Sequence, residues 1–290
     1  MGDLPDGRSL VLVDRSGPVT TVTLDSPGNR NALSSSLLAQ LLAALRDAQA
    51  DPEVRVVVLT GSGSTFCSGV DLDERLHPSP VAEPPDPDTE PPPTLPEVLT
   101  CLVGLPQPVV ALVNGHVRAG GMGLVAAADL AVAGPTATFA FTEVRVGVAP
   151  AVIAVPALRV MDRRAFARYA LTGETFGADD AAAAGLLTAV DDRPGEWVDR
   201  AVGAFLRASP PAVAATKGLL ADHGWDDALA SAEALSDELF ASDDGAEGMA
   251  AFLDRRPPRW VVDRPSPGGP PPPSGDQPPP SGDQPPPAPG

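Results

Sequence analysis

Short apolar runs rich in β-branched residues recur along the first half of the chain, at Leu10–Val13, Val19–Leu24, Val54–Leu59, Val109–Val113 and Leu130–Ala133, and each reads as a strand. Between the second and third of these, Leu33–Ala48 repeats apolar residues at helical spacing and is rich in strong helix formers. Asp51-Pro52 then closes it. A helix, a buried strand and a glycine-rich turn make one unit of a wound α/β layout. A second such turn follows Val109–Val113 at Asn114-Gly115 and leads through Ala119-Gly120-Gly121 into an alanine-rich helix ending near Asp129. Alternation of this kind predicts a parallel sheet. Beyond Pro150 the pattern is helical throughout, over Ala157–Leu171, Ala178–Gly185, Pro194–Arg207, Pro211–Leu220 and Asp226–Leu253. The fold class is therefore α/β, a wound core followed by an all-helical C-terminal region.

Two segments depart from this pattern. His77 to Pro96 is crowded with proline and acid, and proline's missing N–H and fixed φ argue against a regular element there. Pro265 to Gly290 repeats Ser-Gly-Asp-Gln-Pro-Pro-Pro with no apolar periodicity, so it buries too little surface to offset its ordering entropy and is expected to be a disordered, partly polyproline tail. The expected division is an N-terminal extension over 1–8, a wound core over 9–193 containing the proline-rich loop 77–96, a helical region over 194–264, and the tail over 265–290.

Composition narrows the range of functions. With 43% hydrophobic residues the 290-residue chain can build a sizeable core. The 38 acidic against 20 basic residues give a formal charge of −18, which repels nucleic-acid phosphates and anionic lipid, so neither nucleic acid nor membrane is an expected partner. Lys217 is the only lysine, leaving arginines and backbone N–H groups to grip an anionic ligand. Cys67 and Cys101 form no CxxC or Cys/His cluster, and the first residues lack a basic region followed by an apolar stretch. A cytoplasmic protein with no metal site is expected.

Candidate chemistry lies in the two glycine-rich turns. Gly61-Ser-Gly-Ser-Thr-Phe-Cys-Ser-Gly-Val-Asp-Leu72 follows a buried strand and exposes backbone N–H groups where wound α/β proteins place ligands. Asn114-Gly-His-Val-Arg-Ala-Gly-Gly-Met-Gly-Leu-Val-Ala-Ala-Ala-Asp129 opens a helix whose free N–H groups and positive end favour an anion or a developing oxyanion. Neither turn carries the third glycine of a dinucleotide fingerprint or the Gly-Lys-Ser/Thr of a phosphate loop. His77, His116 and His223 suggest no triad, Cys67 reads as packing, and Arg118 fits ligand contact and solvent exposure equally. Asp71 and Asp129 read as caps that orient their loops.

In order and spacing these segments resemble the crotonase superfamily of enoyl-CoA hydratases and isomerases. The resemblance runs from about Ser9 to Trp260. Besides the two turns it includes Ser26-Pro-Gly-Asn-Arg-Asn-Ala-Leu33, Phe141-Thr-Glu-Val-Arg-Val-Gly-Val-Ala-Pro150, Leu171-Thr-Gly-Glu-Thr-Phe176, Ala181–Leu187 and Gly248–Trp260. It implies a wound ββα spiral core, an acyl-coenzyme A thioester as substrate with no separate cofactor, and a homotrimer or hexamer assembled through the C-terminal helices.

It further implies that the N–H groups of Val70 and Gly120 form an oxyanion hole and that Glu143 is the catalytic carboxylate. Gly123 stands where hydratases of the family carry a second glutamate, which questions ordinary hydration. The surrounding pattern is nevertheless similar to a subgroup of methylglutaconyl-CoA and related branched enoyl-CoA hydratases. Hydration is the expected activity, with Δ3,Δ2-enoyl-CoA isomerisation or catalytically silent acyl-CoA binding as alternatives. Substrate contacts are implied at Arg30, Asn31, Ala32, Ser68, Gly69, Asp71, Leu72, Gly121, Gly123 and Gly147, with Arg30 the cation for a phosphate. Asp73 replaces a lysine often found there. Phe139, Phe141 and Val144 could wall Glu143 and raise its pKa, and Arg145 would oppose this if it shared that face.

Overall fold

The computed structural model describes residues 9–77, 91–220 and 224–261. The expected N-terminal extension, most of the proline-rich loop, His223 and the tail lie outside them. The chain divides into a unit reaching Pro258 and a remainder beginning at Arg259. The expected core and nearly all of the expected helical region therefore share the first unit.

That unit winds strands through two sheets. The larger takes β1 (Val11–Ser16), β2 (Val19–Leu24), β3 (Val56–Gly61), β5 (Val109–Val113), β7 (Leu130–Ala133) and β10 (Ala189–Val190) in that spatial order, parallel except for the β1–β2 hairpin. The smaller takes β4 (Thr65–Cys67), β6 (His116–Arg118), β8 (Thr138–Ala140) and β9 (Phe176–Gly177), of which only β8 and β9 run antiparallel. Each turn of the winding thus gives one strand to each sheet, β3 then β4, β5 then β6, β7 then β8. This is the expected ββα spiral.

Burial on both faces explains the unbroken apolar strands. On β3, Val57 and Leu59 enter the main core beneath α1 (Ser35–Ala50), whereas Val56 and Val58 join Val110, Val132 and Val198 beneath α8 (Pro194–Phe205). Leu37, Leu41 and Leu45, one turn apart, form the buried stripe of α1, and Ser34 caps its start by accepting from the Leu37 N–H. The structure adds α2 (Leu72–Leu76) and α3 (Leu95–Gly104) before β5, and α4 (Gly120–Ala127) between β6 and β7 is the expected alanine-rich helix. α3 begins inside the segment expected to lack regular structure. Its Pro96 sits in the first helical turn, where the missing N–H would have no intrahelical partner.

The region beyond Pro150 is not entirely helical, since β9 and β10 complete the two sheets. Two expected helices are also split. Ala157–Leu171 is replaced by α5 (Ala151–Val160) and α6 (Arg163–Thr172), because the Asp162 carboxylate accepts from the Arg164 and Ala165 N–H groups and starts a new helix. Asp226–Leu253 is replaced by α10 (Trp225–Phe240) and α11 (Asp243–Leu253), where Ser242 plays the same part through the Gly245 N–H. α7 (Ala178–Ala183) and α9 (Pro210–Leu219) complete the helices. α10 packs on α5 and α3, and α11 on the turn that carries Glu143.

Candidate active site

β4 and β6 are parallel neighbours, so the chain leaving the end of each enters the same region. After β4 comes Gly69-Val70, and after β6 comes Ala119-Gly120. An isolated parallel bridge pairs Leu33 with Val70 through the Leu33 N–H to the Gly69 carbonyl (2.7 Å) and the Asp71 N–H to the Leu33 carbonyl (3.4 Å). A parallel bridge of this form uses the groups on either side of Val70 and turns its own N–H away. The Gly69 N–H is taken by the Cys67 sulfur at 3.4 Å. Gly120 begins α4, where an N–H has no intrahelical acceptor. Among the described residues no hydrogen bond uses the Val70 or the Gly120 N–H.

The two loops touch. A methyl group on Gly69 would stand 3.2 Å from the Gly120 nitrogen and 2.6 Å from the Ala119 Cβ, and Gly69 itself has φ +91°, so this position requires glycine twice over. Ala119 adopts φ +45° with ψ −121°, a strained backbone for an alanine, directly before Gly120. Sequence reading did not find Ala119, because nothing in an alanine announces a positive φ. Gly121 packs on Cys67, to whose Cβ an added methyl would approach within 2.8 Å. Burial pushes the Cys67 thiol up to about 12, so it is a packed, protonated acceptor and no nucleophile.

Glu143 enters from the neighbouring strand. The Ala119 N–H donates to the Ala140 carbonyl at 3.1 Å, joining the Gly120 loop to the end of β8, and the chain then runs through buried Phe141 to a 3-10 turn over Glu143–Val146. Gly147, at φ +78°, closes this turn by donating its N–H to the Glu143 carbonyl. Among the described residues, the buried Oε2 of the Glu143 carboxylate has no hydrogen-bond partner. Burial raises its pKa from 4.5 to about 7, against a smaller lowering by its own backbone N–H. Arg145 does not oppose this. Its side chain lies along Gly173, where an added methyl would meet the Arg145 Cγ and Nε at 3.0 Å, and it is not among the causes of the shift.

The other expected contacts fall into two groups. Asn31 is fully buried and its side chain is spent on the fold: Nδ2 donates to the carbonyls of Ser62, Thr65 and Phe66, and Oδ1 accepts from the Ser26 N–H. Asp71 caps α2 through the Asp73 and Glu74 N–H groups and accepts from Asn29 Nδ2. Ala32 is buried beside Asn31, and Leu72 is the half-buried first residue of α2. Arg30, in contrast, is exposed and makes no ion pair among the described residues. Ser68 Oγ donates to the Asn29 carbonyl at 3.2 Å, so the Arg30 turn and the Val70 loop are held side by side.

His116 and Asp129 are structural, as expected, whereas Arg118, expected to meet either ligand or solvent, is instead bonded to the backbone. His116 Nδ1 pairs with Thr138 Oγ1, the Arg118 guanidinium donates to the Val117 and Thr138 carbonyls, and the Asp129 carboxylate accepts from the Val109 N–H. Among the described residues no group of His, Cys, Asp and Glu side chains could hold a metal ion, and no helix is long and apolar enough to cross a membrane.

Residues 14–263 match the sequence profile of the Enoyl-CoA hydratase/isomerase family. The chain belongs to this family. Among its crotonase relatives is the 2,3-dehydroadipyl-CoA hydratase of Escherichia coli (strain K12), 32% identical over 86% of this chain and 98% of that protein. The mevalonyl-coenzyme A hydratase of Beauveria bassiana (strain ARSEF 2860) is 33% identical over 83% of this chain and 91% of the relative. The crystal structure of an enoyl-CoA hydratase from Mycobacterium avium superimposes with a TM-score of 0.75 at 43% identity, covering 88% of this chain and all of the other. The match at this level makes the spiral the crotonase fold. The unpartnered Val70 and Gly120 N–H groups and the buried Glu143 carboxylate all lie within the matched span.

Proposed function

We propose that this crotonase is a hydratase-type lyase that adds water across the double bond of a 2-enoyl-CoA, with Glu143 as its single proton-transferring carboxylate. The observation that carries the reading is the buried, unpartnered Oε2 of Glu143 on a carboxyl group that titrates near neutrality. A carboxyl group of ordinary pKa is a poor proton acceptor at pH 7, whereas one titrating near 7 both takes and returns a proton readily. Relatives named as hydratases support the same reaction class.

The steps require only one such group. Glu143 takes a proton from water as the water oxygen bonds to C3. The double-bond electrons move onto C2 and the thioester oxygen, and the resulting enolate is held by the Val70 and Gly120 N–H groups. Glu143 then returns the proton to C2, which leaves the 3-hydroxyacyl-CoA. Each backbone donor to a developing oxyanion contributes about 3–4 kcal/mol to lowering such a barrier. Because the donors are main-chain groups, valine at position 70 costs nothing. Arg30, exposed and without an ion pair among the described residues, is proposed as the phosphate contact of coenzyme A, which belongs to the substrate; no separate cofactor is needed. The working form is proposed to be a cytoplasmic homotrimer or hexamer, which mass measurement in solution checks.

Loss of conjugated-thioester absorbance on mixing the protein with crotonyl-CoA measures the reaction. Wild type is expected to remove it, Glu143→Gln to be slowed at least a hundredfold, and the acid limb of kcat/KM to fall near pH 7. Gain of that absorbance from a 3-enoyl-CoA, with no loss from crotonyl-CoA, would instead assign isomerisation.

A further inference from the structure

We propose that Ile153 is a specificity-determining wall of the acyl site and that Gly123 is small in order to admit it. The proposal rests on the acyl-CoA reading above and adds the side chain that sorts acyl groups.

Gly120, the donor at the start of α4, and Gly123, one turn further along, lie on the same helix face. A methyl group on Gly120 would meet Leu33 Cδ1 at 2.8 Å and Leu95 Cδ2 at 3.3 Å. On Gly123 it would meet Ile153 Cγ2 at 2.8 Å, Ile153 Cβ at 3.3 Å and Leu99 Cδ2 at 3.5 Å. Leu33, Leu95, Leu99 and Ile153, all buried, therefore form one apolar strip along the face of α4 that begins at the Gly120 N–H. Ile153 reaches this strip from the segment that also carries Glu143. The 3-10 turn closes at Gly147, the chain continues to Pro150, and α5 starts at Ala151.

The space into which a side chain at 123 would grow is thus occupied by the branched end of Ile153, whose β-branched χ1 is stiff and whose backbone is fixed in α5. Gly123 and Ile153 are matched in size. A carboxylate at 123 requires Ile153 to be cut back, and Ile153 presents hydrocarbon on the side of the site where a second carboxylate would otherwise stand. Acyl groups are therefore sorted by bulk near the thioester, and truncating Ile153 favours a group branched at C3 over a straight one.

Calorimetric binding of two saturated thioesters, butyryl-CoA and 3-methylbutyryl-CoA, tests this apart from turnover, because neither can be hydrated. Ile153→Ala is expected to shift the ratio of their dissociation constants about tenfold toward the branched ester, with Ile153→Val between it and wild type. Gly123→Glu alone is expected to lower the melting temperature, and Gly123→Glu with Ile153→Ala to recover part of the loss. An unchanged ratio in a folded Ile153→Ala protein, or a Gly123→Glu protein melting with wild type, overturns the proposal. If neither thioester binds wild type, the acyl-CoA reading falls with it. If both bind and crotonyl-CoA is hydrated while the ratio stays fixed, only the role of Ile153 is lost.

Discussion

Burial of Glu143 has an energetic consequence opposite to its catalytic one. Its folded pKa of about 7 lies above the ordinary 4.5, so between these values the folded chain holds a proton that the unfolded chain has released. Stability therefore falls as pH rises through this window, and the loss is complete above it, at about 3 kcal/mol. Glu143→Gln keeps the shape and removes the ionisation. It is expected to melt several degrees above wild type at pH 8 and level with it below pH 4.5, while losing hydration at both. Thermal melts at the two pH values check this, and equal melting at pH 8 would contradict the burial argument. A glutamate held only for structure would lose stability on substitution. The residue was legible because it sits in a recognisable segment, but the direction of Arg145 was not. That depends on Gly173, distant in sequence, offering a surface for the guanidinium stem.

At the scale of elements, the meeting of the two loops depends on a fit between Gly69 and Ala119. An alanine at 69 would be strained at φ +91° and would press on the Ala119 methyl, forcing the Val70 and Gly120 donors apart. Gly69→Ala is expected to lower kcat/KM for crotonyl-CoA by a hundredfold or more, the loss that follows removal of one oxyanion donor. Ala119→Gly acts in the other direction. Relief of backbone strain, about 1–3 kcal/mol, exceeds the usual cost of glycine, about 0.5–1 kcal/mol, so urea denaturation is expected to show a gain on the order of 1 kcal/mol. A loss of stability would mean that the positive φ carries no strain. The strands that meet here were also the hardest to read. β3, β5 and β7 declare themselves through nearly unbroken, mostly buried apolar runs and β2 through strict alternation of buried and half-buried positions, whereas β4, β6 and β8 span three residues each and are strands only because distant segments pair with them. Their loops could be placed from glycine patterns, but the sheet joining them could not.

Across the whole molecule, the wound order of strands was legible because it repeats locally, helix then strand then turn. The packing of the C-terminal helices was not, because long-range contacts decide it. α10 and α11 lie against this chain's own α5, α3 and Glu143 turn, and α9 is fastened by the only lysine. Lys217 Nζ lies 2.8 Å from Asp129 Oδ2 and donates to the carbonyls of Leu102 at 3.1 Å and Gln107 at 3.2 Å, with 9% of its side chain exposed. Its pKa is lowered, chiefly by burial, with Asp129 acting the other way. The residue identified in the sequence as the lone lysine is thus a rivet between α9 and the core, unable to reach a ligand. Lys217→Met keeps its length but leaves the Asp129 carboxylate with the Val109 N–H and no cation, and the Leu102 and Gln107 carbonyls without this donor, and is expected to cost about 3–5 kcal/mol. Adding Asp129→Asn removes the stranded charge, so the double variant is expected to be more stable than Lys217→Met alone, a non-additivity that a urea-denaturation cycle measures directly. Additive losses, or a Lys217→Met protein within about 1 kcal/mol of wild type, would show that apolar contacts rather than the ion pair hold α9 in place.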